Sequence, residues 1–244
     1  MCRTEPRPEA QEQPAHMNLP SPAEIASELR APFRRRRVQD PDLRRVMERM
    51  RQTRAIFVHV PKTGGKSISS ELYGTGLHEG FGHASAMFYR DLFGAISYQR
   101  HFSFAFVRNP WDRAYSAFRF GRAGGFGFKM GQEMKKAIGH MDFKTFVKEW
   151  LEGRDLSPYV IFRPQHGFLC DSTGRILVDR VCRFERFDQE YAYLKERLGL
   201  GEIAMHINKS ETGSSYTEVY DEETRDIVGR IYSQDVKLFG YSFG

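Results

Sequence analysis

The stretch that decides the fold runs from Ile56 to Ser70 and reads IFVHVPKTGGKSISS. Its first five residues are mostly branched or aromatic, which predicts a short buried strand. Pro61 ends this strand, because proline has no N–H group to donate to a neighbouring strand. Gly64 and Gly65 allow positive φ angles and a close approach of the backbone to a ligand. The strand is therefore expected to lead directly into a tight turn that a ligand can reach.

A helix is predicted after this turn, since Ile68 and Leu72 lie one helical turn apart on one face. The first N–H groups of a helix have no partner within it, and together with the positive end of the helix dipole they favour a bound anion. Lys62 and Lys66 add two positive charges. The hydroxyl donors of the stretch are Thr63, Ser67 and Ser69. The pattern predicts a site for phosphate or sulfate.

The stretch has two other interpretations. An ordinary turn between strand and helix is disfavoured, because two lysines and two glycines in one turn contribute little to packing. A nucleotide-binding P-loop, G-x-x-x-x-G-K-[ST], shares Gly65, Lys66 and Ser67, but Val60 occupies the position of its opening glycine. A P-loop kinase that uses ATP and Mg²⁺ is therefore kept as an alternative.

Length and composition favour one α/β domain with an N-terminal arm. The chain has 244 residues, of which 40% are hydrophobic, and a net charge of +6. Residues 1–54 hold 12 arginines against 8 acidic residues, so much of the basic excess lies near the N-terminus. Residues 1–40 are rich in proline and arginine and are expected to be a disordered arm, and residues 41–244 a single domain. A nonenzymatic anion or polynucleotide binder that uses this arm is a second alternative.

Cysteine usage and hydropathy favour a soluble, cytoplasmic protein. The cysteines Cys2, Cys170 and Cys182 show no paired metal or disulfide spacing, which is typical of a reducing compartment. No apolar run approaches the roughly 20 residues that a membrane span needs, and no signal-peptide core is present. We therefore expect neither a membrane anchor nor a secretory signal in this sequence.

The rest of the chain alternates between helical and strand patterns. The elements expected are a helix from Asp40, a strand over 102–107, a helix from Pro110, a glycine-rich loop over 121–131, a helix from Asp142, a hairpin over 168–178, a strand over 181–184, and helices from Asp188 and Asp221. This alternation predicts a three-layer, P-loop-like α/β fold, in which helices flank a central, mainly parallel sheet.

A second anion-binding element follows the predicted strand over 102–107. The stretch 104–118 reads FAFVRNPWDRAYSAF and places Arg108 where the strand leaves the sheet, the usual position for ligand-binding groups in open α/β folds. A guanidinium can bind two phosphate oxygens at once, and the Ser116 hydroxyl would add a third donor. The alternative for Arg108 is an ion pair with Asp112. For Arg113 a structural salt bridge is expected.

The two stretches together resemble the sulfotransferases that use 3′-phosphoadenosine 5′-phosphosulfate (PAPS), and the carbohydrate branch (sulfotransferase family 2-like) looks nearest. The resemblance continues in four shorter motifs and spans about residue 54 to the C-terminus. These motifs are FRPQH from Phe162, VCRFERF from Val181, INKS from Ile207 and DVKLFGY from Asp235. One motif alone would be weak evidence, but the ordered set is specific.

The resemblance implies an enzyme that moves a sulfuryl group from PAPS to a hydroxyl of a carbohydrate or glycoconjugate by in-line transfer. The product nucleotide would be adenosine 3′,5′-bisphosphate, and no metal is expected. In this family the loop corresponding to 61–67 holds the 5′-phosphosulfate, and the element corresponding to 108–116 holds the 3′-phosphate. The residues expected to bind the cofactor are Lys62, Thr63, Gly64, Gly65, Lys66, Ser67, Arg108, Ser116 and Lys209.

Two residues are expected to be catalytic. Lys62 would stabilise charge on the leaving phosphate, and His83 would accept the proton of the acceptor hydroxyl, as a histidine after the first helix does in related enzymes. The alternatives are that His83 is an ordinary loop histidine or that nearby His78 is the base. Lys66 stands where the family more often has a small hydroxyl residue, so it either adds a cation to the site or turns outward.

Overall fold

The computed structural model describes residues 41–74, 82–125, 128–201 and 215–244. The N-terminal arm expected over residues 1–40 lies outside the described residues, and so do His78 and Lys209. None of the helices within the described ranges is both long and apolar enough to span a membrane.

The centre of the fold is a parallel sheet of three strands in the order β1-β2-β3. The strands are β1 (Ala55–Val58), β2 (Phe102–Val107) and β3 (Arg180–Arg183). Ala55 pairs with Phe102 and Phe104 pairs with Arg180, so all three strands point the same way. The predicted α/β fold with a parallel sheet flanked by helices is confirmed.

Helices cover both faces of this sheet. In chain order they are α1 (Pro41–Thr53), α2 (Gly65–Tyr73), α3 (Ala86–Phe93), α4 (Ala95–Gln99), α5 (Pro110–Arg122), α6 (Phe128–Ile138), α7 (Phe143–Thr145), α8 (His166–Leu169), α9 (Phe187–Leu198), α10 (Glu222–Ile231) and α11 (Ser233–Phe239). Helix α7 continues as a π-helical stretch, Phe146–Leu151, and 3₁₀ turns span Phe184–Arg186 and Tyr216–Val219.

The burial of each strand follows from how apolar its residues are. Every residue of β1 is buried, and five of the six residues of β2 are buried, which suits strands covered on both faces. In β3 only Cys182 is fully buried, and its neighbours are arginines and a valine at intermediate exposure. The two apolar strands, β1 and β2, are therefore the buried ones, and the most polar strand, β3, lies at one edge of the three.

Two hydrophobic clusters stabilise the fold. The first surrounds the sheet and includes the inward face of α1, where Val46, Met47 and Met50 are buried. The second lies between α5, α6, the π-helical stretch and α10, with Phe118 and Phe146 near its centre. Helix α5 begins after a two-residue connection from β2, and its buried face joins the second cluster, so it connects the sheet to this helical layer.

Several predicted helix boundaries are confirmed by their capping residues. Asn109 accepts from Trp111 N at the start of α5, Asp142 accepts from Thr145 N at the start of α7, and Asp221 forms a capping box with Thr224. Gly199 ends α9 with a φ of 64°. These starts and stops depend on local hydrogen bonds, which is why the sequence pattern indicates them.

Two predictions for the middle of the chain are confirmed only in part. The hairpin predicted over 168–178 forms around its turn, where Cys170 and Ile176 make an antiparallel bridge and Leu177 N donates to Leu169 O, but His166–Leu169 is helical. The glycine-rich segment predicted as one loop over 121–131 is interrupted by helix, since α5 continues to Arg122 and α6 begins at Phe128. A short apolar run is compatible with both strand and buried helix, so periodicity alone does not separate them.

Candidate active site

The carboxyl ends of the three parallel strands meet at one edge of the sheet, and the predicted anion-binding residues follow them. Lys62 comes four residues after β1, Arg108 directly follows β2, and Phe184 directly follows β3. Arg108 Nη1 donates a hydrogen bond to the carbonyl oxygen of Lys62 at 3.2 Å. The Arg108 guanidinium also lies over the Phe184 ring, 4.4 Å from its centre. One edge of the sheet thus brings the two sequence elements into contact.

The loop after β1 has the backbone geometry of an anion-binding turn. Lys62 has a φ of 69°, and Gly64 has a φ of 79° as the residue before α2. A positive φ in a lysine is a strained conformation that a functional loop can retain. Gly64 has no side chain to accept from the first N–H groups of this nine-residue helix, and its first turn contains no acidic residue. The helix therefore presents uncapped N–H groups and its positive dipole end beside Lys62.

Gly65 is required because the imidazole of His59 packs against it. A Cβ atom at residue 65 would lie 2.2 Å from His59 Cδ2 and 2.9 Å from Phe57 Cζ. Both neighbours are rings held in the core, so they have little room to move away. The second glycine of the loop serves close packing of the helix start against His59, while Gly64 supplies the positive φ.

The hydroxyl groups of the loop do not all face a ligand as predicted. Thr63 is fully buried and its hydroxyl donates to Val60 O at 2.8 Å. Ser69 is also fully buried and donates to Lys66 O at 3.0 Å. Ser67 is half-buried at the start of the helix, and Lys66 is exposed. The hydroxyl protons of Thr63 and Ser69 are therefore used inside the loop in this structure, and the contacts of these residues with a ligand stay predictions.

Lys62 is a partly desolvated cation without a carboxylate partner within the described residues. Its ammonium lies 4.0 Å from the centre of the Phe120 ring. Burial, followed by the positive charges of Arg108, Lys66 and Arg119, lowers the pKa of Lys62 from 10.5 to about 8. An anion bound beside this ammonium would raise its pKa again, because an opposite charge stabilises the protonated form. The electrostatics of the loop therefore favour a ligand with negative charge.

Arg108 is held differently, in the ion pair that was its alternative interpretation. Its Nε and Nη2 donate to the two carboxylate oxygens of Asp112 at 2.7 and 2.8 Å. The side chains of Arg108 and Asp112 are only 17% and 22% exposed, which makes this a well-ordered bidentate pair. A guanidinium has five N–H donors, and the contacts to Asp112 and Lys62 use three of them. Two N–H donors remain for a ligand.

Ser116 lies on the face of α5 that carries these partners. Asp112, Ser116 and Phe120 follow each other at intervals of four residues, so they share one side of the helix. Asp112 contacts Arg108, and Phe120 contacts Lys62. The eight steps from Asp112 to Phe120 cover about 12 Å of helix axis, with half-buried Ser116 midway. The helix therefore aligns the predicted serine donor between the two cations.

His83 is placed beside the loop by a hydrogen bond to the end of β1. Its Nδ1 lies 3.0 Å from the carbonyl oxygen of His59, and the two imidazole rings are 4.5 Å apart. A carbonyl oxygen can only accept, so Nδ1 is the donor in this contact and, in the neutral ring, Nε2 carries the lone pair. His59 in turn packs on Gly65. The predicted base is thus connected to the anion-binding loop through a single buried side chain.

Arg113 forms no salt bridge within the described part of the chain, which corrects the prediction. It is 1% exposed, and its guanidinium donates to the carbonyl oxygens of Ile161 at 3.1 Å and Arg163 at 2.5 Å. A further contact of 3.5 Å reaches Pro61 O at the start of the loop. The role of Arg113 is structural, as expected, but backbone carbonyls replace the expected carboxylate.

Sequence reasoning missed the two phenylalanines that contact the cations. Phe120 lies under the Lys62 ammonium, and Phe184 lies under the Arg108 guanidinium. A Cβ atom added at Gly64 would lie 3.1 Å from the Phe184 ring. Phe184 follows β3 directly, so its position at the carboxyl end of a parallel strand was the available signal. Phe120 continues the four-residue interval from Asp112 through Ser116. No group of three metal-ligating side chains is found among the residues with described positions.

Comparison with known proteins agrees with this arrangement. The model of the sulfotransferase family matches residues 49–242, which include all three strands and both anion-binding elements. Neither a curated protein nor a solved structure matches the chain significantly. Because the match covers well over half of the sequence, we conclude that this chain belongs to the sulfotransferase family and is an enzyme of sulfuryl transfer.

Proposed function

We propose that the chain transfers a sulfuryl group from PAPS to a hydroxyl group of a carbohydrate or glycoconjugate. The observation that carries the proposal is the hydrogen bond from Arg108 Nη1 to Lys62 O, at 3.2 Å. It places two cationic elements, far apart in sequence, at one edge of the sheet. A nucleotide with a charged group on each side of its ribose is the kind of ligand that such a pair can hold.

The residues present fit PAPS at both charged ends. The uncapped start of α2 and the Lys62 ammonium would hold the 5′-phosphosulfate, with backbone N–H groups as the main donors. The two remaining N–H groups of Arg108 and the Ser116 hydroxyl would hold the 3′-phosphate. Lys66, exposed beside the loop, adds positive charge without a fixed contact. When bound, PAPS supplies the activated sulfuryl group.

Lys62 would stabilise the negative charge that develops on the leaving phosphate. Its ammonium is held on the Phe120 ring, away from bulk water, so it needs little reorganisation during the reaction. Charge stabilisation by a fixed cation is worth more in such a partly desolvated position than in water. Lys62 therefore combines the binding and the electrostatic roles that sulfuryl transfer requires.

His83 would accept the proton of the acceptor hydroxyl at Nε2. The hydrogen bond from Nδ1 to His59 O fixes both the tautomer and the orientation of the ring. A proton acceptor near neutral pKa is the usual group for this step, and histidine is the most common choice. The acceptor class rests on the resemblance of the sequence motifs to carbohydrate sulfotransferases.

A thermal-shift comparison tests the donor. Adenosine 3′,5′-bisphosphate is expected to raise the melting temperature of the full chain at micromolar concentration, whereas ATP with Mg²⁺ at the same concentration is not. Stabilisation by ATP–Mg²⁺ and not by the bisphosphate would favour the kinase alternative and overturn the proposal.

A variant of His83 tests the base. His83→Ala is expected to lower turnover by about 10²–10⁴-fold, the usual contribution of a general base, with little change in nucleotide affinity. The matched control is His140→Ala, which removes an exposed imidazole before α7 and should leave turnover unchanged. Normal turnover in His83→Ala would show that another group takes the proton.

A further inference from the structure

Gln165 is a buried residue that no part of the proposed chemistry uses. Its side chain is 0% exposed, and its carboxamide contacts the backbone of Arg108 on both sides. Nε2 donates to Arg108 O at 2.8 Å, and Oε1 accepts from Arg108 N at 2.9 Å. One side-chain amide therefore satisfies both polar backbone groups of this arginine, as a neighbouring strand would.

Arg108 needs such a partner because it lies just beyond the sheet. The last paired residues of β2 and β3 are Val107 and Arg183. The backbone groups of Arg108 would otherwise be left unpaired at a half-buried position, which costs free energy. Gln165 extends the hydrogen-bonding pattern of the sheet by one residue, although it lies 57 residues away along the chain. This extension fixes the peptide groups on either side of the Arg108 Cα atom.

Gln165 is itself held by Asp235, a carboxylate with no exposed surface at the centre of this network. Asp235 Oδ2 accepts from Gln165 N at 2.7 Å, and Oδ1 accepts from His166 N at 2.8 Å. His166 Nδ1 also lies 2.7 Å from Oδ1. Three hydrogen bonds to one buried carboxylate are the condition under which such a charge is tolerated. Asp235 thereby fixes the backbone that carries the Gln165 carboxamide.

We propose that Gln165 and Asp235 are positioning residues that set the direction of the Arg108 side chain. Asp235 holds the main chain of residues 165 and 166, Gln165 holds the main chain of Arg108, and the guanidinium then reaches Lys62 O and Asp112. Neither residue contacts the ligand in this account. The proposal rests on the proposed function in one respect, namely that Arg108 binds the 3′-phosphate.

The test uses two nucleotides that differ only in the 3′-phosphate, adenosine 3′,5′-bisphosphate and adenosine 5′-monophosphate. In Gln165→Ala the preference for the bisphosphate is expected to fall about tenfold, while affinity for the monophosphate changes little, because only the Arg108 end of the site is disturbed. Asp235→Asn keeps one acceptor oxygen and should lose less of this preference. Two variants are used, so that if one does not fold, the other still tests whether the preference for the 3′-phosphate falls.

The matched control is Ser103→Ala, at the opposite end of β2. Ser103 is 1% exposed and its hydroxyl donates to Asp179 Oδ2 at 2.8 Å, so this variant also removes a buried hydrogen bond from the same strand. It should lower stability without changing the preference for the 3′-phosphate. An equal loss of preference in Ser103→Ala and Gln165→Ala would mean that Gln165 acts only through overall stability, and would overturn the proposal.

Hydrogen exchange at the Arg108 amide separates this proposal from the proposed function. The amide is expected to exchange faster in folded Gln165→Ala than in the wild type or in Ser103→Ala. If the wild type shows no preference for the bisphosphate, the assigned nucleotide is wrong, and faster exchange at Arg108 would still support the positioning role. Unchanged exchange would overturn the positioning role whatever the nucleotide.

Discussion

Lys62 and Arg108 are both cations at the carboxyl edge of the sheet, but their charges are balanced in opposite ways. Arg108 already has a bidentate carboxylate partner, Asp112, at 2.7 and 2.8 Å. Lys62 contacts an aromatic ring, Phe120, and its burial, followed by three positive neighbours, lowers its pKa to about 8. A bound anion therefore relieves an unfavourable state at Lys62, whereas at Arg108 it must share the guanidinium with a carboxylate. A bound anion is therefore expected to stabilise the charge of Lys62 more than that of Arg108, whose guanidinium is already held in a fixed direction by Asp112.

The largest expected effect comes from removing the unbalanced cation. Lys62→Ala should lower turnover by about 10²–10³-fold, because a preorganised cation at the leaving group contributes on this scale. Steady-state rates with saturating donor measure the effect. Lys66→Ala is the control, since Lys66 is exposed on the same loop and should cost much less. Equal losses in the two variants would mean that general positive charge, and not the position of Lys62, matters.

The next effect concerns the balanced cation. Arg108→Ala should weaken binding of adenosine 3′,5′-bisphosphate by about 10–100-fold, the usual value for a hydrogen-bonded charge contact, and leave adenosine 5′-monophosphate nearly unaffected. Isothermal titration measures both affinities. Arg230→Ala, which removes an exposed arginine paired with Glu152, serves as the control. A comparable loss for both nucleotides would place Arg108 outside the 3′-phosphate contact.

The pH dependence of binding distinguishes the two cations. The proposed contact of Lys62 with an anion needs its protonated form, so nucleotide affinity should fall as pH rises through about 8, by up to about tenfold per pH unit beyond it. Below pH 8 the ammonium is charged and affinity should level off. In Lys62→Arg the guanidinium stays charged, and the affinity should be flat over pH 7–9.5. A decline of the same size in that variant would show that another group titrates.

The smallest expected effect comes from the partner of Arg108. Asp112→Asn keeps one acceptor oxygen for the guanidinium and removes a negative charge beside the 3′-phosphate, so bisphosphate affinity should rise about threefold. Titration at low and high salt checks that the gain is electrostatic, because salt should diminish it. A fall in affinity like that of Arg108→Ala would instead show that the full carboxylate is needed to orient the guanidinium.

The sequence predicts the local parts of this site well and the distant contacts poorly. The β1–turn–α2 unit and the exit of β2 at Arg108 depend on neighbouring residues, so proline, glycine and apolar periodicity indicate them. For Arg108 the sequence allows two interpretations, a phosphate contact and an ion pair with Asp112. The ion pair is possible because residues four apart at the start of a helix can meet. The sequence pattern does not show which contact the packing favours.

The contacts that the sequence does not reveal are those between remote segments. Gln165 contacts Arg108 although the two are 57 residues apart in sequence. A single glutamine in an irregular stretch belongs to no periodic pattern, so the sequence does not predict this contact. The inward turn of Thr63 and Ser69 is similar, since a hydroxyl near a helix start can donate either to a ligand or to a carbonyl of its own loop. The predicted hairpin over 168–178 is confirmed only around its turn, because the three-residue apolar run before the turn suits a buried helix equally well.

The contact between Gly65 and His59 determines how the anion-binding loop and His83 are positioned relative to each other. The imidazole of His59 touches the loop on one side and the His83 ring on the other. A displacement of the loop would therefore be passed through the His59 ring to His83, the proposed proton acceptor. A methyl group added at residue 65 would disturb the proposed donor pocket and the proposed base together, so the absence of a side chain there keeps the two aligned.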